Sequence, residues 1–269
     1  MARAYFVVSA VFHYLGPAFA VLLFARVDVL GVAWLRIAGA AVVLALWRRP
    51  WRLFRRLTPE LLGLGVVLAA MNTAFYLAIE RLPLATVGAI EFLGPVLLAA
   101  IGVRTGRNAL ALVLAVAGVL ALTDLQLTGA PLGFAFLNCG LFVLYLVLGH
   151  RIANSGVSGV DRLAVAMSIA AVVATPFCLG AAVPAFGSPV ALLAGFGVAV
   201  CSSVIPYVAD QLAMARLPRS TFALMLSLLP AVATLIGVVV LAQLPTAGEA
   251  AGIALIAGAV LIHQETKEN

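Results

Sequence analysis

The chain has 269 residues, of which 65% are hydrophobic and 10% charged, with a formal net charge of +6, and its mean hydropathy is +1.19. That is too little polar side chain to cover a globule in water, so a soluble fold is excluded and an integral membrane protein is indicated. The basic excess falls in short clusters between apolar runs, where the positive-inside rule accounts for it, which leaves no case for a nucleic-acid partner.

Apolar runs bounded by charge, Pro or Gly recur along the chain, and about 20 apolar residues are needed to cross a bilayer as a helix. They predict an all-α membrane protein of ten transmembrane helices over residues 4–24, 29–47, 60–79, 84–103, 108–123, 130–149, 160–182, 190–214, 219–242 and 247–263. The first run follows Arg3 and contains Ala18-Phe19-Ala20, which resembles a cleavage site. Its removal would leave an odd number of spans, so it is read as a retained helix.

Charged groups inside a bilayer are costly and mostly face the bundle interior. Span one carries His13 beside Tyr14, just before Gly16-Pro17, where the missing backbone donor frees a carbonyl. His13 is read as a satisfied hydrogen-bonding residue or as a proton relay. Arg36 in span two and Glu91 in span four each lie about seven residues in from the same side, about 10 Å deep at 1.5 Å per residue, so they are expected to be able to pair. Two readings stay open: a buried ion pair that only ties helices together, or a pair that opens to receive a zwitterion.

Asn72 and Tyr76 sit four apart on span three, as do Tyr207 and Gln211 on span eight, so each helix presents an amide and a phenol on one face. Asn138 and Tyr145 share a face of span six. Pro95, Pro206 and Pro230 interrupt helices, and broken helices offer free carbonyls to a small polar solute. Asp210 lies a turn or two from the end of span eight, near Arg216 and Arg219. It is read as a gate or an interfacial salt bridge. Spans five and ten are short, with Ala111 and Ala115 or Gly248 and Gly252 at helical spacing, and are read as packing helices.

The stretch Glu80–Val103 has a weaker copy downstream. Shifted by about 135 residues, Arg81-Leu82-Pro83 falls on Arg216-Leu217-Pro218, Thr86 on Thr221, Pro95 on Pro230, and Ile101-Gly102-Val103 on Ile236-Gly237-Val238. Gly88 with Pro95, a Gly-x6-Pro spacing, is answered by Ala223 with Pro230. The chain therefore divides into a first five-helix repeat, 1–126, and a second, 127–269. Of the 16 Lys and Arg, all but Arg26, Arg36 and Arg81 fall on one side of the ten-span map, which puts both termini in the cytoplasm. Arg81 then lies outside and Arg216 inside, so the repeats are inverted. Inverted repeats are the signature of an alternating-access transporter with its site where the halves meet.

With GAIEFLGPVLLA at Gly88–Ala99 and VIPYVADQLAMARLPRSTFALMLSLLP at Val204–Pro230, the chain resembles the EamA-type branch of the drug/metabolite transporter superfamily. Within it the chain is most similar to amino-acid exporters of the threonine/homoserine and aromatic types. The resemblance implies a multi-pass protein of the bacterial cell inner membrane that exports amino acids or related small metabolites through a central cavity.

The expected cavity set is His13, Tyr14, Arg36, Asn72, Tyr76, Glu91, Pro95, Asn138, Tyr145, Tyr207 and Gln211. A carboxylate in a desolvated cavity can take up and release a proton during the cycle, so Glu91 is the first candidate for coupling and Asp210 for a gate. Protons or the solute's own gradient could drive export. No cofactor or metal is expected: Cys139, Cys178 and Cys201 show no C-x-x-C or Cys/His spacing, and no P-loop, H-E-x-x-H or Gly-x-Ser-x-Gly is present. An intramembrane lipid-modifying enzyme would need a nucleophile with a base, yet His13, His150 and His263 lie far apart. A lipid or lipid-linked carrier flippase shares the architecture, but its cavity should be more basic. Oligomeric state is left open.

Overall fold

The computed structural model describes residues 2–55, 57–102, 106–122, 130–154, 158–217 and 229–262. Arg219, Thr221, Ala223, His263 and Lys267 lie outside the described residues, and so does the side chain of Pro95. Among the described residues there is no strand. In lipid the backbone has no water to bond, and a helix satisfies its donors and acceptors within itself.

The helices are α1 (Ala2–Leu23), α2 (Val29–Arg48), α3 (Pro59–Ile79), α4 (Leu84–Gly102), α5 (Gly106–Leu122), α6 (Ala130–Ala153) and α7 (Gly159–Ala182). Then follow α8 (Pro189–Met214), α9 (Leu229–Leu241) and α10 (Ala247–Ile262). Helix α8 is interrupted by a π-helical turn at Val200–Val204. By length and composition Ala4–Leu23, α2, α3, α6, Gly159–Gly187 and α8 suffice to cross a membrane, and shorter apolar helices accompany them. Val172, Phe177 and Leu193 stand exposed on the outer faces of α7 and α8, as expected of surface that meets lipid.

Local chemistry sets the helix ends. Asp28 accepts from Leu30 N at 2.9 Å, and Ser188 accepts from Ala191 N at 3.3 Å ahead of Pro189. Thr246 and Glu249 form a capping box before α10: Glu249 N donates to Thr246 Oγ1 at 3.2 Å and Thr246 N to Glu249 Oε2 at 2.8 Å. The two Arg-Leu turns close alike. Arg81 N and Leu82 N both donate to Ala78 O at 3.2 and 2.9 Å, while Arg216 N and Leu217 N both donate to Ala213 O at 2.9 and 2.8 Å.

Helix α2 packs along α7, α4 along α9 and α5 along α10. The pairing of α3 with α6 and α7 is matched by that of α8 with α1 and α2, and α4 with α6 by α9 with α1. Exchanging each helix with the one five later turns this set of contacts into itself. At its centre Tyr14, Tyr76, Tyr145 and Tyr207 are all fully buried.

Candidate functional site

A small pocket opens where α1, α2, α3, α4, α6 and α8 converge. His13, Arg36, Asn72, Glu91, Asn138 and Tyr207 supply its polar lining, and Met71 and Phe75 its apolar wall. The room at its centre is that of about one water molecule. Arg36 and Glu91 are each 2% exposed, so the pocket holds a buried guanidinium and a buried carboxyl group.

The position of Arg36 follows from a helix break. Pro206 has no N–H and cannot donate to the Ser202 carbonyl four residues earlier, and the chain widens there into its π turn. Arg36 Nη2 donates to that carbonyl at 2.7 Å and Nε to Ser203 Oγ at 2.9 Å. Gly16 lets α1 come this close: a Cβ on it would lie 2.5 Å from Ser202 N and 2.6 Å from Ser202 Cα. The guanidinium also sits 5.0 Å over the Tyr76 ring.

Glu91 is held from the other side. Asn138 Nδ2 donates to Oε1 at 2.9 Å and Tyr14 Oη to Oε2 at 3.1 Å, with His13 Nε2 3.6 Å from Oε2. Gly88, one turn before Glu91 on α4, faces Ala233 of α9 and the Tyr14 ring at distances that leave no room for a side chain. The sequence expectation of a direct Arg36–Glu91 pair is therefore corrected. The two share a pocket, but neither donates to or accepts from the other among the described contacts, because each is drawn to a separate set of polar groups. Two pocket-lining atoms remain without a hydrogen-bond partner among the described residues, Arg36 Nη1 and Asn138 Oδ1. One is a charged donor and the other an acceptor beside a carboxylate.

Tyr207 Oη donates to Asn72 Oδ1 at 2.9 Å across 135 positions, the same shift that superposes the two copies in sequence. Asn72 Nδ2 donates back to Leu68 O at 2.6 Å. Asp210 lies about one turn from the end of α8, where the sequence placed it, but among the described residues it forms no salt bridge with Arg216. It is 6% exposed and accepts from Ser9 Oγ and, at 2.8 Å, from Tyr145 Oη. Arg216 turns away from it, donating to Leu212 O at 3.0 Å and lying over the Tyr5 ring. A second pocket adjoins Asp210, lined by Phe6, Ser9, His13, Phe142, Leu146 and Leu229. Tyr145 thus belongs with Asp210 rather than with Glu91, and Gln211 lies buried against Gly149 and Gly159, outside both pockets.

Sequence reasoning passed over Ser9, Ser202, Ser203, Met71 and Phe75. The serine pair carried a usable signal, standing three and four residues before Pro206, where a proline releases a carbonyl. Ser9, Met71 and Phe75 had none, since serine, methionine and phenylalanine are ordinary in membrane helices. Among the described residues no group of His, Cys, Asp and Glu is placed to hold a metal ion.

No family model matches the chain. It is 34% identical over 239 residues to the threonine/homoserine exporter RhtA of Salmonella typhimurium strain LT2, a match covering 85% of this chain and 79% of that protein. The exporter of the same name from Escherichia coli strain K12 is 33% identical over 239 residues, with the same shares covered. Among solved structures, one crystal structure of a protein 17% identical superposes with a TM-score of 0.62 over 97% of each chain, so the two share a fold.

Proposed function

The chain belongs to the family of the threonine/homoserine exporter RhtA, within the drug/metabolite transporters, and on that premise we propose that it exports amino acids and related small metabolites across a bacterial inner membrane by alternating access. Its relatives are transporters, so the chain is a membrane transporter and not an enzyme. In this reading helices α1–α5 and α6–α10 are inverted repeats, both termini are cytoplasmic, and the pocket between the repeats is the substrate site.

The observation that carries the reading is that Arg36 and Glu91 line one pocket while tied to separate partners, with Arg36 Nη1 and Asn138 Oδ1 left unbonded. A zwitterion needs a cationic donor for its carboxylate and an anion with an acceptor for its ammonium, set apart by roughly its own length. Arg36 takes the carboxylate; Glu91 with Asn138 takes the ammonium. Met71 and Phe75 face the side chain.

The Asn72–Tyr207 hydrogen bond supports placing the pocket between the repeats. Positions related by a two-fold pseudo-symmetry touch only where its axis passes, and these two are 135 apart. The helix contacts that map onto themselves under exchange support it too. A pocket with room for about one water is too small for an amino acid, so in this reading the described conformation is closed and α1 or α8 must move to admit substrate.

Purified protein in proteoliposomes tests this by counterflow of labelled L-threonine. N-acetyl-L-threonine and L-threoninamide each lack one charge. Leaving a buried charge unpaired costs about 2–5 kcal/mol, roughly thirtyfold or more in affinity, so neither analogue should compete. Equal competition by either would refute the zwitterion site.

A further inference from the structure

His13 is the one residue among those described that lines both pockets, the Arg36–Glu91 pocket and the Asp210 pocket. Its Nε2 is 3.6 Å from Glu91 Oε2. Phe142 stacks edge-on against it at 6.0 Å and Tyr14 at 5.3 Å, closing the ring into a partition. Each pocket has room for about one water molecule.

We propose that His13 passes a proton between Glu91 and Asp210, which makes Asp210 a second proton site and couples a proton gradient to substrate movement. The inference rests on the exporter reading and adds the driving force to it. The polar and titratable groups that share a pocket with His13 are Ser9 from α1, Arg36 from α2, Asn72 from α3, Glu91 from α4, Asn138 from α6, and Tyr207 and Asp210 from α8, with Tyr14 bonded to Glu91 and Tyr145 to Asp210; α9 contributes the apolar Leu229. One carboxylate therefore stands in each pocket that His13 lines, with Arg36 beside Glu91 in the first, and an imidazolium between the two carboxylates balances the charge.

The steps conserve protons. With no substrate bound, protonated His13 lies beside Glu91. When a substrate ammonium reaches Glu91, it displaces the imidazolium from its anion by like-charge repulsion. His13 then gives its proton to the Asp210 carboxylate and is left neutral, while Ser9 and Tyr145 keep their hydrogen bonds to the acid. Asp210 releases the proton to water when its pocket opens. After the substrate leaves, neutral His13 recovers a proton from the Glu91 side, which takes one from water when that pocket opens. One proton moves for each substrate.

The experiment compares two readouts in the same proteoliposomes: threonine counterflow without a pH gradient, and uphill threonine accumulation driven by an imposed gradient of one pH unit, with a trapped pH dye reporting proton flux. One proton per substrate allows accumulation of up to about tenfold at this gradient. Wild type should show both readouts. Asp210→Asn should lose substrate-dependent proton flux and lower the ratio of accumulation to counterflow at least fivefold, and His13→Gln should lower the same ratio at least fivefold. Asp210→Glu, which retains a titratable carboxyl, should restore coupling at a shifted pH. Accumulation that persists in Asp210→Asn would overturn the relay, as would failure of Asp210→Glu to restore it or absence of gradient-driven accumulation in a wild type that shows counterflow. Absence of counterflow in wild type would instead overturn the exporter reading.

Discussion

Replacing Gly16 with alanine tests whether the approach of α1 to the π turn shapes the site. The added Cβ would overlap Ser202 Oγ and lie 2.5 Å from Ser202 N and 2.6 Å from Ser202 Cα. Ordinary carbon contacts are about 3.5–4.0 Å, so α1 and α8 must part by about 1 Å. The serine hydroxyl can rotate away, but the backbone atoms cannot. Overpacking of this kind costs about 1–3 kcal/mol, against which alanine's better helix propensity returns up to about 1 kcal/mol. The expected net loss is about 1–2 kcal/mol, read as a lower midpoint of unfolding in mixed detergent micelles.

Because the Ser202 carbonyl holds Arg36 at 2.7 Å, the same displacement moves the guanidinium, and an error of about 1 Å in a binding geometry can cost roughly a hundredfold in rate. Counterflow should fall at least tenfold. Gly140→Ala and Gly180→Ala are the controls, since a Cβ at either meets nothing within 4 Å. If Gly16→Ala matches these controls in stability and transport, the argument that this glycine sets the α1–α8 distance is wrong.

Tyr207→Phe removes the donor to Asn72 Oδ1 and leaves a buried acceptor unpaired, so it should destabilise by about 1–3 kcal/mol, whereas adding Asn72→Leu should recover much of the loss in a double-mutant cycle. Arg48 Nε and Asp161 Oδ1 are 2.6 Å apart at the ends of α2 and α7, but the side chains are 33% and 26% exposed. Their coupling energy should be no more than about 1 kcal/mol and should shrink in high salt. Trp34→Phe breaks the 3.0 Å bond from Nε1 to Thr175 Oγ1 and should cost about 1 kcal/mol of stability with transport unchanged.

The helices were legible in the sequence because lipid imposes a minimum length and a near-absence of charge. Thus α2 was expected over 29–47 and is Val29–Arg48. The polar residues of the interior were legible for the same reason, since the cost of burying Arg36, Glu91 or Asp210 marks each against an apolar background. Their partners were not. Counting along a span gives height in the bilayer but not rotation about the bundle, so Arg36 and Glu91 could be placed at one depth while their separate partners stayed hidden. Asp210 shows the same limit, because its place near a span's end and near Arg216 suggested a salt bridge while Ser9 and Tyr145 are the groups that bond to it and it is 6% exposed. The π turn was out of reach as well: Pro206 announced a break, but whether a break becomes a kink or a widened turn depends on what stands opposite, here Gly16 and Arg36.

An experimental structure of the protein with L-threonine bound would test the central claim most directly. The account predicts the substrate carboxylate about 3 Å from Arg36 and the ammonium about 3 Å from Glu91 or Asn138 Oδ1, in a pocket widened from the closed one. Threonine bound elsewhere, or Arg36 and Glu91 paired to each other beside it, would contradict the account.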